Sequence, residues 1–158
     1  MSVLDDIIAA HHAPGALYRR HFHAPVSEVL TLKLCLVVGF MTLISLLPGL
    51  RLTALEANQP FVAYVLPAAY GCIVLMPILL ILVGSVIGWL YRVFGVVGFG
   101  PIARRALALA FLALLPWLLL MGVVIGDETG GVRQALEVFV TVFAIVQVFI
   151  ALRAGHQR

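Results

Sequence analysis

Chemistry in this chain would have to come from five histidines, two cysteines and one acid that lies close to an apolar segment of membrane length. His11, His12, His21 and His23 fall close together near the N-terminus, and imidazole is a common metal ligand. Their spacings match no recognised ligand pattern, so solvation of an interfacial segment is the expectation and no metal is assigned. A haem-binding bundle holds its axial histidines inside the spans. Here no span contains one, and His156 belongs to the C-terminal tail, so no cofactor is expected. Cys35 and Cys72 are expected in opposite leaflets, as buried thiols separated along the membrane normal by more than a disulfide permits. Glu137 is the one acid within reach of a span interior, where a charge is expensive and raises the suspicion of a function. Arg133 precedes it by four residues on the same helical face. A satisfied ion pair is therefore the expected role, with a proton or cation site as the alternative. Thr141 and Gln147 follow on the same segment and are expected to make interhelical hydrogen bonds. No nucleophile, base and acid meet at one depth, so the chain reads as non-enzymatic.

The elements that carry these residues follow from composition. The 158 residues are 63% hydrophobic and 11% charged, with a mean hydropathy of +1.15. Soluble domains carry about 25% charge, so this composition predicts a bilayer protein with no separate soluble domain. A hydrocarbon core of roughly 30 Å is filled by about 20 helical residues. The stretch 57–91 contains no Asp, Glu, Lys or Arg and is longer than one crossing. Pro60 and Pro67 lack an amide donor and disfavour helix in the residue before them. Residues 58–66 are therefore expected as an apolar approach along the interface and 67–91 as the span around which the chain is organised. Three more spans are predicted: 29–50, closed by Pro48-Gly49; 101–125, opened by Pro101 at a first helical position; and 132–152. Pro77 and Pro116 lie mid-span and predict kinks. Residues 1–28 form a cytoplasmic or interfacial N-terminal segment. Ser2 and Asp5 suit a capping box at the start of a short amphipathic helix that Pro14-Gly15 ends. Leu17, Tyr18 and Phe22 then alternate with Arg19, Arg20, His21 and His23, a pattern that lies in the interface or docks on the protein's own helices. Residues 153–158 are a basic tail. The fold class is all-α: a polytopic membrane bundle of about four transmembrane helices.

Orientation comes from the ten Lys and Arg residues. Arg19, Arg20, Lys33, Arg92, Arg104, Arg105, Arg153 and Arg158 fall on one side of the expected topology, and only Arg51 and Arg133 on the other. The positive-inside bias places both termini and the middle loop in the cytoplasm. The net charge of +3 and pI near 9.2 belong to basic residues beside apolar segments, so anionic lipid headgroups rather than nucleic acid are the expected partner. Arg19, Arg20, Arg104 and Arg105 are expected to meet such lipid, or an acidic loop of another subunit. Gly84 and Gly88 form a GxxxG pair, and Ala103, Ala106, Ala110 and Ala113 a small-residue stripe, both of which let backbones approach closely. Packing of the two helices within one chain is the expectation, and a homodimer seam the alternative.

The order of features resembles the Yip1-domain family in its small bacterial form. The likeness rests on the amphipathic start ending in Arg19-Arg20, Leu47-Pro48 at the close of the first span, and Pro77-Ile78-Leu79 in the second. It continues through Arg92-x-x-Gly95, the Gly-rich turn, Arg105-Ala106-Leu107, Pro116 and Gly122. The resemblance covers nearly the whole chain and implies a multi-span helical bundle. Eukaryotic members of that family are membrane-trafficking proteins that contact small GTPases. This chain differs in having about four spans rather than five and no long cytosolic N-terminal region, and no residue is assigned to GTPase contact. The function expected is that of a bacterial inner-membrane accessory or scaffold protein, joined to other membrane subunits or to itself. The alternative is a small transporter or channel with a water-lined path past Ser85, Thr141 and Gln147.

Overall fold

A computed structural model describes Ile8, His11, His12, Tyr18 and residues 27–96, 98–124 and 131–156. Every element among them is helical. α1 is Glu28–Glu56 and α2 is Val62–Tyr70, which a π-turn at Gly71–Leu75 joins to α3, Met76–Val93. α4 is Phe99–Val124 and α5 is Gly131–His156. With α2, the π-turn and α3 taken as one rod, four of these helices are long and apolar enough to cross a membrane. The expected N-terminal amphipathic helix, Arg19, Arg20 and the acids Asp127 and Glu128 lie outside the described residues.

Helix ends depart from the expected ones where termination chemistry outweighs proline. α1 starts where expected: the Ser27 hydroxyl accepts from the Leu30 amide at 3.4 Å, and Glu28 sits in the first turn, where a carboxylate favours the helix dipole. It does not stop at Pro48-Gly49 but runs on to Glu56. One proline removes a single amide donor, a loss that membrane helices tolerate. The stop is instead at Asn58, whose φ of +49° is left-handed. The Asn58 amide donates to the Leu55 carbonyl and the Gln59 amide to the Ala54 carbonyl, the two bonds of a Schellman ending. Gly95, at φ +86°, ends α3 in the same way, with the Val96 amide donating to the Tyr91 carbonyl.

The second rod begins at Val62, so residues 62–66 are helix continuous with the span. Pro77 lies in the first turn of α3. Just before it the rod widens into the π-turn, and the Met76 amide donates five residues back to the Gly71 carbonyl. A missing proline donor and a π-bulge are recognised causes of distortion in long helices. Early entry into helix also shifts Cys72. Its carbonyl oxygen lies where a Cβ on Gly39 would be, one turn along α1 from Cys35. The two cysteines are thus closer in depth than opposite leaflets would place them, and both are buried free thiols.

The hub of the fold is α4, not the second rod. α4 packs closely against α1, α3 and α5 in turn, whereas among the described helices α5 packs closely against α4 alone. In its spanning window 61% of residues are buried, against 33% or fewer in the other three. Residues 105–110 are all buried, so α4 is enclosed on every side at that level. Alanine makes this possible, because Ala103, Ala106, Ala108, Ala110 and Ala113 leave room for three neighbours. The second rod has the highest hydropathy of the four spans and α4 the lowest. The least hydropathic span is thus the one that the others surround, because residues facing lipid must be apolar and enclosed ones need not be.

Candidate functional site

Small residues set the helix spacing. A Cβ built on Gly84 would lie 2.6 Å from the Arg104 Cα, and one on Gly88 would run into the Gly100 Cα. Gly39 and Gly122 are as tight against the Cys72 and Ser45 carbonyl oxygens. The GxxxG pair of the second rod therefore meets the first two turns of α4. Ala103, Ala106, Ala110 and Ala113 are all buried, but at Gly84 and Gly88 the atoms met belong to Gly100 and Arg104 rather than to that alanine stripe.

Where the small residues bring α1, α3 and α4 together, charged and polar groups gather at the basic end of the bundle. Arg104 Nη2 and Glu28 Oε1 form an ion pair of 2.9 Å, the arginine side chain 25% exposed and the glutamate 67%. The pair lines a groove of about 250 Å³ together with Val29, Thr31, Leu32, Ile81 and Pro101. Arg104 Nε also donates to the Gly100 carbonyl at 3.4 Å. As an exposed pair it adds under about 1 kcal/mol to stability.

Arg105, expected at the surface with lipid, is instead 3% exposed. A rotation of about 100° per residue puts it on a different face of the fully enclosed helix from Arg104. Its Nε and Nη1 are sequestered, with no hydrogen-bond partner among the described residues. An unsatisfied buried donor costs about 1–3 kcal/mol. Arg105→Met, which keeps length and removes the charge, is expected to raise the midpoint of thermal unfolding in detergent by the equivalent of at least about 1 kcal/mol. A lower midpoint would mean that a counter-charge reaches the guanidinium.

A second polar contact lies on the other side of α4. The Tyr18 hydroxyl donates to Gln147 Oε1 at 2.8 Å, with both side chains buried. Tyr18 is wholly enclosed in a cluster with Leu34, Cys35 and Val38 of α1, Leu109 and Leu112 of α4, and Ala151 and Ala154 of α5. Desolvation pushes its phenol well above the ordinary value. Further along, Trp117 Nε1 donates to His11 Nε2 at 3.0 Å, and the His11 ring stacks on Phe143 at 5.5 Å. Of the two placements open to the N-terminal segment, Tyr18 and His11 take the docked one.

Gln147 is thus engaged by Tyr18, whereas Thr141 is exposed and donates to the Glu137 carbonyl at 2.8 Å. Glu137 is half-buried, and the Arg133 side chain expected to pair with it lies outside the described residues. Thr141 and Glu137 thus meet each other, while Gln147 is buried against Tyr18. Ser85 donates to the Ile81 carbonyl at 2.7 Å, on a helix that does not touch α5. No group of three or more metal-capable side chains occurs among the described residues. Composition could not have revealed Arg105 or Tyr18 as interior groups, because each sits in a run that reads as interfacial. The available signal was Ala103, Ala106 and Ala110 around Arg105, which mark a helix enclosed by others. No family model, curated protein or solved structure matches this chain.

Proposed function

We propose that this is a non-enzymatic integral protein of a bacterial inner membrane, with both termini cytoplasmic, acting as an accessory or scaffold subunit through helix and lipid contacts. The reading is supported most by one observation: hydroxyl and amide side chains described along the bundle are turned to their own helix or to each other. Ser45, Thr42, Ser85 and Thr141 donate to carbonyls one turn back, and Tyr18 donates to Gln147. Exposed apolar side chains on α5, among them Val138, Val142, Ile145 and Phe149, offer a face to lipid or to another helix. Kinship with the small bacterial Yip1-domain proteins is part of the proposal and rests on Arg92-x-x-Gly95 and Arg105-Ala106-Leu107. Arg19 and Arg20 are assigned to anionic headgroups.

The test is extraction in mild detergent, affinity capture and mass spectrometry of what co-purifies. A membrane partner recovered in fixed proportion is expected; a lone monomer with no partner would defeat the scaffold reading. The transporter alternative requires Ser85, Thr141 and Gln147 along one path, and flux of protons, ions or small solutes in reconstituted vesicles would revive it. Tags at the two ends, probed from each face, check the orientation.

A further inference from the structure

We propose that the groove between α1, α3 and α4 holds one phospholipid with a phosphoethanolamine headgroup, its phosphate on Arg104 and its ammonium on Glu28. This rests on the lipid-contact part of the reading above and narrows it to one site and one headgroup class. Val29, Leu32, Ile81 and Pro101 give the groove an apolar lining, and the charged groups among its described lining residues are Arg104 and Glu28. Apolar walls suit an acyl segment, which commits the site to a lipid rather than to a free headgroup. Among the described lining residues there is one cation and one anion, so their formal charges cancel. An anionic headgroup would have to take Arg104 from Glu28 and leave the carboxylate beside a phosphate, a like-charge contact. A zwitterionic headgroup instead supplies a partner to each. Choline carries the same charges but no N–H, so Glu28 would trade a charge-assisted hydrogen bond for a bare electrostatic contact. Exposure fits this exchange. Arg104 is the more enclosed partner and also bonds to the Gly100 carbonyl, while Glu28 is two-thirds exposed and free to swing toward an ammonium.

The experiment is native mass spectrometry of the full-length, delipidated protein titrated with phosphatidylethanolamine, phosphatidylglycerol and phosphatidylcholine of identical chains. The wild-type protein is expected to retain the first about tenfold more tightly than either of the others. Glu28→Gln, a surface change that leaves the fold intact, is expected to move the preference to phosphatidylglycerol. Ile81→Trp, which fills the apolar part of the groove, is expected to weaken all three, with circular dichroism checking that the helices persist. A wild-type preference for phosphatidylglycerol or phosphatidylcholine would overturn the proposal, as would affinities that neither substitution changes. Because partner capture does not depend on Ile81→Trp, loss of the lipid site and loss of the scaffold reading give different results.

Discussion

Gly88→Leu is expected to destabilise the bundle by about 3 kcal/mol or more, the upper end of the overpacking range. The atom in the way is the Gly100 Cα, part of the α4 backbone, so no side-chain rotation relieves the clash. α3 and α4 would have to move apart, and with them Gly84, whose own Cβ would meet the Arg104 backbone. Denaturant titration in micelles, followed by helical circular dichroism, measures the loss. Gly71→Ala is the comparison: a Cβ there meets nothing within 4 Å, and alanine is favoured over glycine inside a helix by about 0.5–1 kcal/mol. Equal losses for the two substitutions would show that the close approach at Gly88 does not exist in solution.

Tyr18 carries the second large effect. Tyr18→Ala removes a fully enclosed aromatic ring from the cluster that joins α1, α4 and α5, and a loss of about 3–5 kcal/mol is expected. Tyr18→Phe keeps the ring and removes the hydroxyl bonded to Gln147, for about 1 kcal/mol. The phenol also predicts a pH dependence. Burial raises its folded-state pKa above the ordinary 10.0, so the folded state holds the proton more tightly than the unfolded one. Its contribution is complete below pH 10 and is lost as pH climbs from there toward the folded value, by up to about 1.4 kcal/mol per unit. Unfolding midpoints of wild type and Tyr18→Phe measured from pH 8 to about pH 11 should run parallel at first and converge above 10. Parallel curves throughout would place Tyr18 in water.

How far the fold is legible in the sequence depends on what kind of signal each part leaves. Span number came from apolar runs and from charges at their ends, and helix at 29–50, 67–91, 101–124 and 132–152 is present. Termination was misjudged at Pro48 because a proline inside a membrane helix costs one hydrogen bond, while Asn58 supplies the left-handed turn that ends it. The Gly84/Gly88 pair was visible as a motif, but its counterpart was not: Gly100 and Arg104 belonged to what read as a turn and a headgroup anchor. Arg105 was least legible. It is the next residue after Arg104, yet it is buried and Arg104 is a quarter exposed, a difference fixed by helical rotation and by three neighbours that no single segment encodes.

That α4 is third of the four in chain order has a consequence for biogenesis. When the first two rods have entered the bilayer, their close approach is the crossing of Gly39 with Cys72. Arg105 at that moment has not emerged, and most of the contacts that will hold both rods still await synthesis. A nascent chain paused after Gly95 would therefore be a pair of rods that touch each other but lack the larger part of their final packing. Release of the third would convert them into a closed three-rod unit, to which the last rod attaches from one side only.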